Sequence, residues 1–255
     1  MTADTLAEGR IIFQNEACMV INKLPGETSA FPQTENPAEG GAFPAAVHRL
    51  DTPVSGCLLL ARTPEAAAFL CAAFARHNGD VEKHYWAIVE KPASPVRLPA
   101  GGELVHWLYE DKKANKSFAV PVFTETGTES LPPRHGHVKP VKAVLRCRVK
   151  GQGQHYLFVE IDLVTGRHHQ IRAQLAALGL HIKGDLKYGA RRSEKGGGIR
   201  LHAYSLAFPN PLNPGEKIKV NAPPPLTQPH HPDALWEAFA EAAAKDDALA
   251  IPPEG

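Results

Sequence analysis

Apolar and polar positions along the chain predict many short strands and few helices. Two β-rich runs at 10–13 and 18–23 flank a polar Gln-Asn-Glu triplet, which indicates a strand pair. The continuous apolar run that ends at Ala61 is typical of a buried strand. Alternating or clustered apolar residues predict the remaining strands, at 83–89, 104–108, 142–149, 155–163, 200–208 and 217–221.

The same reading predicts three helices. The first begins at Pro64 behind the N-cap Thr63 and ends near 78–79. The second is expected at 166–178, and the third is a short amphipathic helix at about 233–245. Many strands with few helices, and no alternation of strand and helix, indicate the α+β class. We expect a mixed, mostly antiparallel sheet with flanking helices.

Two stretches lack a regular pattern. The stretch 27–46 is rich in Gly, Pro, Ala and Thr and is predicted to be a loop. The stretch 91–140 contains many Pro and Gly residues, and only its segment 104–108 is predicted to be ordered. We therefore expect an N-terminal extension at 1–9, one main domain at 10–221 and a C-terminal extension with a short helix at 222–255.

The composition is that of an ordinary soluble globular protein, with 43% hydrophobic and 22% charged residues. No apolar run approaches the ~20 residues that span a bilayer, and the N-terminus lacks the basic start and apolar core of a signal peptide. A cytoplasmic location is therefore expected. The cysteines are widely spaced and lie in apolar segments, so we expect buried, reduced thiols at Cys18, Cys57, Cys71 and Cys147.

Charge is distributed unevenly, although the net charge is only +1. Residues 1–46 carry two basic and six acidic side chains, and residues 221–255 carry one basic and six acidic, so the interior carries +10. Within the interior, 167–200 has eight Lys or Arg and two Asp or Glu. This distribution suits a polyanion-binding face, because phosphate contacts supply most of the affinity for nucleic acids. An unevenly charged, solvated surface is the alternative.

Three segments contain candidate chemical groups. In the first, at 47–56, a carboxylate at Asp51 precedes the buried apolar strand, where a low dielectric raises its pKa unless a cation is adjacent. Asp51 is alternatively a turn-former ahead of Thr52-Pro53. In the second, at 83–89, strand alternation places Tyr85 on the face of Lys83, where it either acts chemically or packs with its hydroxyl at the rim.

The third segment, 164–172, opens the predicted second helix with Thr165 as its cap. Arg167, Arg172 and two histidines fall within two turns, at the positive end of the helix dipole, which suits a phosphate or a carboxylate. The neighbouring His168 and His169 invite a metal interpretation. However, adjacent helical residues do not share a ligand face, and no HxxxH pair or cysteine accompanies them.

In their order, these segments resemble the RluA family of pseudouridine synthases. His-Arg-Leu-Asp at 48–51 is followed by Ser-Gly and an apolar strand, then by Lys-x-Tyr-x-Ala-x-Val, then by Thr-Gly-Arg-x-His-Gln-Ile-Arg. The resemblance covers about residues 10–221 and also includes the segments 11–26, 178–189 and 201–208.

The resemblance implies a catalytic domain with a central RNA-binding cleft, no cofactor and no metal. By motif, Asp51 matches the family's catalytic aspartate, Tyr85 its active-site tyrosine, and Arg172 the arginine that ion-pairs with the aspartate. Arg49 matches the residue that fills the space left when the target base swings out. Arg167 is expected to contact the RNA as well.

The implied reaction isomerises a uridine in structured ribosomal or transfer RNA. Asp51 would attack the nucleotide or remove a proton from its sugar, Arg172 would keep Asp51 ionised, and Tyr85 would take part in deprotonating C5. The partner is structured RNA, with no membrane involved, and a monomer is expected.

Two features depart from the family pattern. Pro53-Val54 stands where many members have a polar pair, and the S4 RNA-binding domain of many relatives is not expected here. RNA choice would then rest on the catalytic domain. Two alternatives remain: a non-catalytic RNA-binding protein of the same fold, and a glycosylase that would release free uracil.

Overall fold

A computed structural model describes residues 9–30, 44–76, 79–94, 96, 98, 102–122, 138–194, 197–225 and 233–249. Most of the predicted N-terminal extension and of the loop at 27–46 therefore lies outside the described residues. The strands are β1 (Ile11–Gln14), β2 (Cys18–Lys23), β3 (Ala45–Ala46), β4 (Ser55–Ala61), β5 (Glu82–Glu90), β6 (Glu103–Asp111), β7 (Lys116–Pro121), β8 (Val141–Gln152), β9 (Tyr156–Leu163), β10 (Leu201–Asn210) and β11 (Asn213–Asn221). The helices are α1 (Pro64–Arg76), α2 (Gln170–Ala177) and α3 (Ala234–Leu249).

The chain forms two compact units. Unit 1 contains the residues up to Tyr85 together with His202–Pro225, and unit 2 contains Trp86–Leu201 together with the C-terminal residues. Strands dominate both units, which confirms the predicted α+β class. None of the helices in the described part of the chain is long and apolar enough to cross a membrane.

In unit 1 the strands follow the order β1-β2-β4-β10, with β3 also on β4 and β11 on β10. The pairs β1–β2 and β2–β4 are antiparallel, whereas β4 and β10 are parallel. Helix α1 covers this sheet, and its Leu70 is fully buried against Leu59 and Phe208. Burial of such a side chain stabilises the fold by about 1.5–3 kcal/mol. This packing therefore helps to hold α1 against β4.

The parallel pair of β4 and β10 requires a glycine at Gly56. Its φ is +114°, and a Cβ there would lie 2.3 Å from the carbonyl oxygen of Ala203.

The buried His202 on β10 has a hydrogen-bond partner at each ring nitrogen. Ser55 Oγ lies 2.9 Å from its Nδ1, and its Nε2 lies 3.0 Å from the carbonyl oxygen of Ala222. A carbonyl only accepts, so Nε2 carries the proton and Nδ1 accepts from Ser55.

We expect this histidine to make the fold sensitive to acid. Burial lowers the pKa of His202 to about 4, below the 6.5 of an exposed histidine. Its contribution to stability is therefore complete above pH 6.5 and is lost as the pH falls through 4, a change of about 3 kcal/mol. Urea unfolding of the wild type and of His202→Gln at pH 7, 5.5 and 4.5 measures it. An advantage of the wild type that stays constant with pH would contradict the expectation.

Strand β5 is divided between the units, and its residues from Trp86 onward belong to unit 2. There the strand order is β5-β9-β8-β6-β7, in which β8–β9, β6–β8 and β6–β7 are antiparallel. The hairpin of β6 and β7 corrects one expectation. Residues Lys116–Pro121 lie in the stretch predicted to be irregular, but they form a strand whose end, Lys116, pairs with Asp111. The reversal uses Asn115 with a φ of 47°, a conformation that asparagine adopts more readily than most residues.

The short amphipathic helix predicted at about 233–245 is confirmed as α3, which packs on β8 of unit 2. Its Phe239 is fully buried, stacks on Trp86 at 4.5 Å and contacts Phe158 at 5.5 Å. A Cβ on Gly151 of β8 would lie 2.7 Å from that of Ala242, so a glycine lets the helix approach the strand. All four cysteines are free thiols, as expected, and three of them are buried; Cys71 on α1 is exposed, so the expectation that it is buried was wrong.

Candidate active site

Asp51 lies half-buried in the loop between β3 and β4 of unit 1. The backbone N–H of Val54 donates to the carbonyl of Asp51 at 2.9 Å, so Asp51 does begin a turn. The backbone oxygen of Asp51 accepts this bond, so a turn-forming role of Asp51 is compatible with a chemical role of its carboxylate. Ser29 Oγ accepts from the N–H of Leu50 at 2.9 Å and donates to its carbonyl at 2.8 Å. The residue before Asp51 is thereby fixed.

The same loop is also held by a buried lysine, Lys23, which was not identified as a candidate from the sequence. Lys23 is 0% exposed, and its Nζ donates to the carbonyls of Leu24 at 3.0 Å, Thr52 at 3.1 Å and Val54 at 2.7 Å. An ammonium has three donors, so all are used. Burial lowers the pKa of Lys23 to about 8, while the charge of Asp51 acts in the opposite direction. Lys23 thus places a cation close to Asp51.

Tyr85 on β5 is 7% exposed and lies within the same unit as Asp51. Burial raises the pKa of its phenol, and the negative charge of Asp51 raises it further. The structure therefore brings these two predicted site residues close together and keeps Tyr85 neutral. Its environment combines a buried ring with a nearby carboxylate, so packing alone does not describe it.

His48 and Arg49, the two residues before Leu50, lie in different environments. The ring of His48 stacks on Phe74 at 4.7 Å, and its Nε2 accepts the N–H of Leu59 at 3.0 Å. Burial, with a contribution from Lys83, lowers the pKa of His48 to about 3, so the ring is neutral at physiological pH. Arg49, by contrast, is exposed. Its proposed contact with RNA stays a prediction.

In unit 2, the segment before α2 corrects the predicted second helix. The helix begins at Gln170 and not at Gly166, because the Gln170 side chain holds the preceding turn: its Oε1 accepts from the Thr165 hydroxyl at 2.8 Å and from the Arg167 N–H at 3.0 Å. His169 has a φ of 50°, which a helix cannot include. Thr165 therefore binds a side chain and not the helix end, and Arg167 is exposed on the turn.

Arg172, in the first turn of α2, is one half of a buried ion pair. Its Nε donates to Asp185 Oδ2 at 2.7 Å and its Nη2 to Oδ1 at 2.8 Å, and the two side chains are 5% and 2% exposed. The Tyr188 ring lies under the guanidinium, 4.8 Å from Cζ. Asp185 and Tyr188 were part of the recognised motifs but had been given no role. The predicted pair between Arg172 and Asp51, which lie in different units, stays a prediction.

The hydroxyl of Tyr188 links this pair to the β6–β7 hairpin. It accepts the N–H of Ser117 at 2.8 Å and lies 3.0 Å from His169 Nδ1. Ser117 Oγ also donates to the carbonyl of His168 at 2.8 Å. Both histidines therefore have structural contacts here. Within the described ranges, no group of three or more His, Cys, Asp or Glu side chains is placed to hold a metal ion.

Known proteins resemble this chain over most of its length. The model of a family described as RNA pseudouridylate synthase matches residues 17–177. An uncharacterized RNA pseudouridine synthase of Zymomonas mobilis is 32% identical over 185 residues, which cover 72% of this chain and 74% of that protein. The tRNA pseudouridine synthase C of Haemophilus ducreyi is 30% identical over 236 residues, which cover 83% and 89%. The chain spans about half of Bacillus subtilis YlyB, at 32% identity and 52% coverage.

Solved structures share the fold at low sequence identity. The human RNA pseudouridylate synthase domain containing 4 superposes with a TM-score of 0.62 at 22% identity, with 92% of both chains covered. The human domain containing 1 gives a TM-score of 0.60 at 21% identity, with 96% of both chains covered. These likenesses support the arrangement of strands and helices.

Proposed function

Because this chain belongs to the RNA pseudouridylate synthase family, we propose that it isomerises specific uridines to pseudouridine in ribosomal or transfer RNA. One observation supports this proposal most directly: Asp51 lies in a hydrogen-bonded loop close to the buried, neutral Tyr85. A relative named tRNA pseudouridine synthase C makes transfer RNA a specific candidate. A cytoplasmic location and a monomeric state belong to the same proposal.

In the proposed reaction, the bond between C1′ and N1 breaks, the uracil turns, and a bond from C1′ to C5 forms. N1 gains a proton and C5 loses one, so no electrons are exchanged with a cofactor. The uridine must first leave its stack, which costs a few kcal/mol. Arg49 is proposed to occupy the vacated space, and Arg167 to hold the backbone. Both are exposed, which suits contact with a large ligand.

Asp51 is proposed to act as a carboxylate on the sugar, either at C1′ or by proton removal at C2′. Lys23 places one ammonium close to Asp51 within unit 1, and Arg172 is proposed to supply a second cation. Asp185 and Tyr188 hold the Arg172 guanidinium by its Nε and Nη2 edge and by one face.

Tyr85→Phe is expected to slow pseudouridine formation by about 10²-fold, the usual size of a proton-transfer contribution. The raised pKa keeps the Tyr85 hydroxyl neutral at physiological pH, and this hydroxyl is proposed to relay a proton while the ring packs against the base. Single-turnover rates at saturating enzyme, with RNA affinity measured in parallel, give the comparison. A rate within twofold of the wild type would restrict Tyr85 to packing.

The proposed function is tested by incubating the purified chain with unmodified transfer and ribosomal RNA transcripts and analysing the nucleosides by mass spectrometry. We expect pseudouridine at defined positions. Release of free uracil would indicate a glycosylase, and binding without any product would indicate a non-catalytic RNA-binding protein. Pseudouridine maps of total RNA from cells with and without the gene then identify the uridine.

A further inference from the structure

We infer that the proposed backbone contact of Arg167 is part of a larger binding surface for RNA phosphates on unit 2, built on the tip of the β6–β7 hairpin. This hairpin surface is defined by Lys112, Lys113, Lys116, Arg167 and Lys187. The first three come from the stretch 91–140, which the sequence pattern predicted to be mostly irregular. The sequence pattern therefore provided no reason to place them beside Arg167 and Lys187. The inference rests on the proposed function in one respect, namely that the polyanion is the substrate RNA.

Hydrogen bonds join the segments of the hairpin surface. At the tip, Asp111 Oδ1 accepts the N–H of Ala114 at 3.0 Å and closes the turn. Lys187 Nζ donates to the carbonyl of Asn115 at 3.0 Å, and the Asn115 side chain lies 3.1 Å from Nε2 of His168, the neighbour of Arg167. The hairpin tip is thus fixed to the turn before α2 and to the segment at 186–188. The backbone that carries the cations is therefore held in place before RNA binds, which lowers the entropic cost of binding.

In the described part of the chain, the hairpin surface groups five cations without a carboxylate partner, whereas in the rest of unit 2 paired cations occur beside unpaired ones such as Lys91, Lys139 and Arg192. Among the described residues, no carboxylate lies within 4.0 Å of any of its five cations. Elsewhere in the same unit, seven basic side chains each have such a carboxylate: Arg146, Arg148, Lys150, Arg172, Lys183, Arg191 and Arg200.

Two acidic residues do lie on the hairpin, but they leave the charge of its surface positive. Glu110 is 3.8 Å from His168 Nδ1, and Asp111 closes the turn. Five cations against two carboxylates leave a net charge of +3 on this small area. Clustered cations without counter-charges repel one another in the free protein, and phosphates relieve that repulsion.

The hairpin surface also adjoins Arg172. Lys116 Nζ lies 5.1 Å from the centroid of the Tyr188 ring, and the same ring lies 4.8 Å from the Arg172 guanidinium. An RNA whose target uridine approaches Arg172 would therefore place its flanking backbone at the hairpin. The hairpin surface is expected to contribute to affinity and not to the chemical step.

The test is the double variant Lys112→Gln/Lys113→Gln, because both side chains are exposed at the tip and the fold does not depend on them. Affinity for a fluorescently labelled, unmodified transfer RNA transcript is measured at several salt concentrations. Loss of two phosphate contacts should reduce the slope of log affinity against log salt by about 1.4–1.8. KM for pseudouridine formation should rise while kcat stays within twofold.

The matched control is Arg146→Gln/Arg148→Gln, which removes the same charge from exposed residues of the same unit that have carboxylate partners. It should leave the salt slope unchanged. An unchanged slope for the lysine variant, or an equal reduction in the control, would overturn the inference. Binding is measured independently of product, so a reduced slope without any pseudouridine formation would support the hairpin surface and refute the proposed function alone.

Discussion

Asp51→Asn is expected to bind RNA as tightly as the wild type and to form no detectable pseudouridine. Asparagine has nearly the same shape, and the loop is held by Ser29, Lys23 and backbone groups, so the fold should persist. The neutral amide can neither attack the sugar nor remove a proton. Loss of such a group typically costs about 10⁴-fold or more in rate. Single-turnover nucleoside analysis over hours, with a binding titration, measures both quantities.

The matched control is Asp80→Asn, the same chemical change in the same unit at a partly exposed residue that pairs with Arg76, four residues earlier in the sequence. It should retain full activity. Pseudouridine formation by a folded Asp51→Asn protein at more than about a hundredth of the wild-type rate would remove Asp51 from the catalytic role.

Arg172→Met is expected to destabilise the fold by about 3–5 kcal/mol, because Asp185 then stays buried without its partner. Pseudouridine formation should be lost as well, since the proposed partner of Asp51 is gone. Urea unfolding measures the first effect and single-turnover kinetics the second. The control is Arg146→Met, which breaks the exposed pair with Glu103 and should cost no more than about 1 kcal/mol.

A double variant, Arg172→Met/Asp185→Leu, separates the two effects. Replacing both members of a buried pair by apolar residues is often neutral for stability, so most of the loss should be recovered. Activity should not return, because the guanidinium is still missing. Recovery of pseudouridine formation in the stable double variant would show that Arg172 has only a structural role.

The candidate site could be predicted from the sequence in part. Asp51, Tyr85 and Arg172 were identified by the order of three motifs, and the structure places Asp51 and Tyr85 together. The roles of Lys23 and Asp185 were not predictable. A buried lysine at a strand end has no distinguishing pattern, and no periodicity connects an arginine to a carboxylate 13 residues away. Such contacts depend on loops that return the chain to the same place.

The secondary-structure elements also divide into those that the sequence predicted and those that only the structure showed. Local patterns determined the strands at β2 and β4 and the start of α1, because alternation, continuous apolar runs and capping residues act over a few positions. Only the tertiary structure decided where α2 begins and that Lys116–Pro121 is a strand. The start of α2 depends on how the Gln170 side chain binds the turn before it, and β7 exists because β6 supplies its partner groups.

For function, the sequence by itself determined the family and the residue types of the reaction, since those motifs are short and contiguous. The tertiary structure decided the surroundings of these residues: the ammonium under the Asp51 loop, the carboxylate that holds Arg172, and the cations of the hairpin surface. The burial of a side chain and the pairing of its charge depend on residues that are distant from it in the sequence. They become defined only when the chain has folded.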